Sequence, residues 1–202
     1  MSWIKTINFE NATGALKKIY EKVTGPNNNV DNVLQIHSLR PHTLKGHMAL
    51  YKNVLHHHNN TLPKWYLESL GVFVSWLNQC DYCVEHHAEG LKKLLADDVE
   101  QFEKIMYAIK RNRPEEAFEE KLLKGMEYGK KLTLSHHWMT QNDLEELKVA
   151  GFEDGEILEI NQVVSYFNYV NRTVVGLGVN TQGDVLGLSP NNNENPDDWG
   201  HQ

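Results

Sequence analysis

The chain is poor in cysteine: among its 202 residues only Cys80 and Cys83 occur. A disulfide-stapled secreted scaffold carries more, scattered along the sequence, and a chain of this length buries a core without staples. Long apolar runs are also missing. The longest charge-free stretch through the middle, SLGVFVSWLNQC, is 12 residues, short of the roughly 20 that span a bilayer. Positive charge is in deficit, with 20 Lys plus Arg against 27 Asp plus Glu and a formal net charge of -7. No basic stripe interrupts that balance, so nucleic acid is not an expected partner. The opening MSWIKTINFENATG lacks a basic segment followed by an apolar one, which leaves a cytoplasmic location without membrane contact as the expectation. No Gly-rich phosphate loop is present, so no bound organic cofactor is expected.

What the sequence does contain is helical punctuation, with no convincing strand alternation, and the predicted fold class is all-α. ATGALKKIYEKVTG places Leu16, Ile19, Tyr20 and Val23 on one face before a Gly25-Pro26 stop. A short helix broken at Arg40-Pro41 precedes a longer one carrying Leu44, Met48, Tyr51 and Leu55. Pro63 opens LPKWYLESLGVFVSWLNQ, apolar nearly all round and expected at the centre of the fold. Further helices are predicted from about Cys80 to Leu95 and near 98–111, 114–132, 140–150 and 153–171. Residues 1–180 form one domain in this reading, and 181–202, rich in Asn, Asp, Gly and Pro, an extended polar tail. Within that tail Leu186, Leu188 and Trp199 are candidates to pack on another subunit.

The stretch NQCDYCVEHHAEGLKKL sets two cysteines three apart and His87 four beyond the second. A c-type haem attachment needs a histidine where Val84 stands. A zinc site would have to recruit Glu68 or a distant histidine to complete Cys80, Cys83 and His87. A pair of packed small side chains is the plainest alternative. A redox pair suits the spacing, since residues i and i+3 at the start of a helix can bring two sulfurs into bonding range. Helix N-termini favour thiolates, and His87 lies one turn beyond Cys83 on the same face, so Cys83 is the candidate nucleophile and Cys80 the resolving thiol. Glu68 is the sole charged residue between Lys64 and Asp81. Burial raises a carboxyl pKa, which would suit Glu68 to shuttling protons near neutrality. One continuous helix would hold it about 18 Å from Cys80, so the chain must bend at Asn78-Gln79 if both serve one site.

Glu68, eleven residues, Cys80, two residues, Cys83, three residues, His87: this arrangement resembles the motif of the alkylhydroperoxidase D branch of the carboxymuconolactone decarboxylase family. The resemblance extends to YFNYVNRTVVGLGV at 166–179, a late helix bearing Asn and Arg. It implies the AhpD-like all-α fold, a homo-oligomer of trimers or their multiples, and a thiol-dependent antioxidant peroxidase, an oxidoreductase needing no cofactor or metal. By resemblance Cys83 is the peroxidatic cysteine, Cys80 the resolving one, and His87 with Glu68 the proton relay. The partners implied are a peroxide substrate and an external dithiol reductant. Tyr82 stands where alkylhydroperoxidase D has a histidine, a departure in the relay. Two other classes stay open, a non-enzymatic dithiol redox adaptor or sensor and a metal-binding module.

Several neighbours of the motif have plainer readings. His56-His57-His58 and His136-His137 read as solvated. Tyr166, Phe167 and Tyr169 read as core or subunit interface. Asn168, Asn171 and Arg172 are polar insertions in an apolar helix that could serve the cysteines or a neighbouring subunit.

Overall fold

The computed structural model describes residues 2–188 and Trp199, so the expected tail at 181–202 lies largely outside the described residues. The described chain is helical: α1 (Gly14–Val23), α2 (Asn32–Gln35), α3 (Pro41–Tyr51), α4 (Lys64–Leu77), α5 (Asp81–Leu94), α6 (Val99–Lys110), α7 (Glu120–Leu134), α8 (Gln141–Val149) and α9 (Asp154–Gly176). A π-helical turn, Lys52–His56, continues α3. The predicted helix at 114–132 begins instead with a separate 3-10 turn at Pro114–Glu116, and α9 runs five residues past its expected end. No strand occurs among the described residues.

The core is organised around α4. Every residue from Tyr66 to Ser75 is buried, and the helix packs against α5, α6, α7 and α9. A helix apolar on all faces is stable only when surrounded, which is the position α4 takes. Gly71 allows one of the close approaches: a Cβ there would run into the Phe167 ring of α9. Phe167, fully buried, in turn sets its ring edge-on to His87, with centroids 4.7 Å apart. The packing of α9 on α4 therefore also orients a side chain of the site.

The bend expected at Asn78-Gln79 is present as a helix-terminating motif. Asn78 caps α4, Gln79 adopts a left-handed backbone with φ 54°, and the Cys80 amide bonds back to the Ser75 carbonyl at 2.9 Å. The Gln79 amide bonds to Trp76 O at 3.0 Å, completing the paired closure that ends helices in a left-handed residue. Cys80 is at once the last residue of this closure and the N-cap of α5, so one turn fixes the first sulfur and starts the helix bearing the second.

Trp199 is buried within the chain itself, with the Lys22 ammonium 5.8 Å from its ring centroid, so its packing partner is internal.

A non-glycine residue in the left-handed region costs about 1–2 kcal/mol, and Gln79 is exposed. Gln79→Gly is therefore expected to raise stability by about 1 kcal/mol, and Gln79→Val to lower it, in paired denaturant titrations.

Candidate functional site

Four elements converge on the cysteine pair. Cys80 and Cys83 are free thiols, 1% and 3% exposed. The two cysteine sulfurs are hydrogen-bonded to one another, and the amide of Asn171, buried on α9, bonds to both. Asn171 is held in turn: its Nδ2 donates to Ser75 Oγ at 3.0 Å and its Oδ1 accepts from Asn78 Nδ2 at 3.0 Å. Of the polar insertions in α9, Asn171 is thus the one that reaches the sulfurs. Asn168 bonds Asn78 and Thr133, and Arg172 bonds back to Asn168.

The hydrogen bond divides the charge between the sulfurs. It lowers the pKa of Cys80 against the opposing effect of burial. The same bond raises that of Cys83 well above a free thiol, reinforced by burial and by the Cys80 charge. The expectation from helix geometry favours a thiolate on Cys83; the directions of the two shifts favour the charge on Cys80 instead.

Glu68 is 2% exposed on α4, yet its pKa lies below the ordinary carboxylate value. Burial alone would raise it, as expected from sequence, but the charges of His87 and His56 and the His87 hydrogen bond outweigh that effect. His87 Nδ1 lies 2.8 Å from Glu68 Oε2 and His56 Nε2 3.7 Å from Oε1. A carboxylate only accepts, so Nδ1 of His87 carries the proton in this hydrogen bond. His56 Nε2 is also 2.9 Å from the Tyr51 hydroxyl. Among the three consecutive histidines, His56 is therefore part of the site and His58 is exposed.

Beside these groups lies a cavity of about 50 Å³. Cys83, His87 and Glu68 line it together with Tyr51, Tyr166 and Met48. Tyr166 thus faces the cavity rather than only the core, while Phe167 is core and Tyr169 half exposed. Burial keeps the Tyr51 and Tyr166 phenols protonated, with the Glu68 charge adding to the effect at both. Cys80 does not line this cavity. It opens instead on a separate groove with Asp81, Glu85 and Val175. Tyr82 turns away from the cysteines, and its hydroxyl donates to Asp184 Oδ2 at 2.6 Å. His86, one position before His87, also faces Asp184, at 3.3 Å.

Sequence reasoning assembled Glu68, Cys80, Cys83 and His87, and the structure brings all four to one place. It missed His56, Tyr51 and Asp184. Tyr51 carried a signal, since it shares the helical face of Leu44 and Met48; the other two carried none. Among the described residues no group of three or more His, Cys, Asp or Glu side chains is placed to hold a metal ion. Nor is any helix long and apolar enough to cross a membrane.

Because the folded-state pKa of Glu68 is lowered, the stability it contributes is present above the unfolded carboxyl value of about 4.3 and is lost as the pH falls through the folded value. Glu68→Gln is expected to cost about 1–3 kcal/mol at neutral pH, with the difference from wild type shrinking below about pH 4. Denaturant titrations at neutral and acid pH check both the size and the direction.

No family model and no curated protein matches the sequence. Solved structures do. The alkylhydroperoxidase AhpD core of an uncharacterized peroxidase-related protein from Ralstonia eutropha JMP134 superposes with a TM-score of 0.72 at 19% identity, over 89% of this chain and 91% of that one. An uncharacterized peroxidase-related protein from Silicibacter sp. TM1040 gives 0.66 at 24% identity, over 84% and 85%. ATU0492 from Agrobacterium tumefaciens, a protein of unknown function described as a putative antioxidant defence protein AhpD, gives 0.56 at 22% identity, over 72% and 94%. The chain has the all-α AhpD-like fold that its motif implies.

Proposed function

We propose that the chain is a dithiol peroxidase in which Cys83 reduces hydrogen peroxide or an alkyl hydroperoxide. The observation that carries this reading is the cavity shared by Cys83, Glu68 and His87, where a buried carboxylate holds the imidazole with Nδ1 protonated. The names of the structural neighbours, peroxidase-related and antioxidant, favour the same chemistry.

In the resting pair Cys80 carries the charge and Cys83 the proton. Nε2 of His87 takes that proton as the Cys83 sulfur attacks the peroxide. A sulfur–oxygen bond forms, the oxygen–oxygen bond breaks, and the alkoxide leaves as an alcohol with the proton from His87. The Cys80 thiolate then attacks the Cys83 sulfenic acid, forming the disulfide and expelling hydroxide, which a solvent proton converts to water. Net, the dithiol monoanion, one hydroperoxide and one proton give a disulfide, an alcohol and water. Glu68 stabilises the imidazolium formed on the way, and Asn171 holds both sulfurs in register. An external dithiol then reduces the disulfide, and the groove at Cys80 is its approach. A homo-oligomer in the cytoplasm belongs to the same reading, with Tyr107, Trp138 and Val149 among the exposed apolar side chains available for contact.

A second reading has one observation in its favour. The Cys83 thiol is held protonated, which suits a redox sensor that oxidises without rapid turnover.

Stopped-flow oxidation of the pre-reduced protein tests both. Rapid disulfide formation is expected in wild type, none in Cys83→Ser, a trapped sulfenic acid in Cys80→Ser, and a rate lower by about 10–100-fold in Glu68→Gln. Oxidation no faster than that of a free thiol throughout contradicts the peroxidase reading, and a single slow oxidation without turnover favours the sensor.

A further inference from the structure

The cavity beside Cys83 is completed by the segment that follows α9. Gly187 and Leu188 form part of its wall. They are held there by contacts that have no counterpart in the dithiol chemistry. Asp184, with a side chain 2% exposed, accepts the Tyr82 hydroxyl at 2.6 Å and the Asn32 amide at 3.1 Å, and lies 3.3 Å from His86 Nε2. The Asn32 side chain donates to the carbonyls of Asn180 at 2.9 Å and Gln182 at 3.1 Å. Lys93 donates to the Gly187 carbonyl at 2.7 Å. Gly187 has φ 71°, and a Cβ there would lie 2.8 Å from Glu89 Cβ. The segment therefore rests directly on the α5 backbone, in a conformation that only glycine adopts without strain.

A strap is thereby tied at two points to the helix that bears Cys83, and the first tie is Tyr82, inside the cysteine pair's own spacing. We propose that this strap, clasped by Asp184 on Tyr82 and seated by Gly187 on α5, sets the size limit for what reaches Cys83, restricting the site to hydrogen peroxide and short alkyl hydroperoxides. The size limit follows from the cavity. About 50 Å³ is room for about four waters at ~10–15 Å³ each, which favours hydrogen peroxide and short alkyl hydroperoxides over those with an aryl or long-chain group. Leu188 and Gly187 are the parts of the wall whose displacement enlarges it without altering Cys83, His87 or Glu68. The substrate class rests on the peroxidase reading; the size limit itself does not.

Two alkyl iodides with the same leaving group and different bulk separate those statements. Reduced full-length protein is treated with iodomethane or benzyl iodide, and modification of Cys83 is followed by peptide mass mapping in wild type, Asp184→Ala and Gly187→Ala. The benzyl-to-methyl rate ratio at Cys83 is expected to rise at least tenfold in each variant that retains a cooperative melting transition. The same variants are expected to oxidise faster with cumene hydroperoxide relative to hydrogen peroxide. A ratio within twofold of wild type, or acceleration of both iodides by the same factor, overturns the strap. A raised ratio with no peroxide oxidation in any form supports the strap and removes the peroxidase reading. Asp184→Ala loses several hydrogen bonds at once, and Gly187→Ala, which adds one methyl group where the buried strap meets the α5 backbone, supplies the answer if the first does not fold.

Discussion

A carboxylate in the middle of the most apolar helix of the chain has to be compensated where it stands. Glu68 sits on α4 with apolar neighbours on every side, and burying such an ion unpaired would cost several kcal/mol or more. The compensation is two imidazoles from different elements, His87 on α5 and His56 on the π turn after α3. Much of the local architecture follows from bringing them there. The left-handed Gln79 turns α5 back along α4, Gly71 lets Phe167 press against both α4 and the His87 ring, and the π turn presents His56 inward. The pairing fixes which nitrogen of His87 donates to the carboxylate, so Glu68 anchors the imidazole on which the proposed proton chemistry depends.

The cysteine pair uses the same economy of charge. The hydrogen bond between the sulfurs lowers the pKa of Cys80 and raises that of Cys83, while Cys83 is the one that lines the cavity. On the peroxidase reading proposed above, a thiol that loses its proton as it attacks needs a base, the part given there to His87, and the sulfur with the lowered pKa is the one that resolves. The two roles are separated by electrostatics across less than one helical turn, with Asn171 bonded to both sulfurs.

What was legible in the sequence was whatever depends on local spacing. The all-α class, the central position of α4, the bend at Asn78-Gln79 and the grouping of Glu68, Cys80, Cys83 and His87 all follow from periodicity and short intervals. His56 was not legible because three consecutive histidines before two asparagines look alike in sequence, and only the π turn decides which one points inward. The sign of the Glu68 shift was missed for a related reason: burial can be inferred from neighbours, but the second imidazole that offsets it comes from another element. The charge on Cys80 depends on which thiol donates, a matter of side-chain geometry. The strap falls in the stretch read as a polar tail, and its grip on Asn32 joins positions 152 residues apart, beyond the reach of any local pattern.

The measurement that bears most directly on this account is an ultraviolet thiolate titration of the reduced, metal-free protein, repeated after one equivalent of hydrogen peroxide and corrected with Cys80→Ser. The account predicts one thiolate per chain at neutral pH, assigned to Cys80, and its disappearance together with both free thiols on adding the peroxide. Absence of any thiolate until the pH of an ordinary buried thiol, or thiols that survive the peroxide, would contradict it.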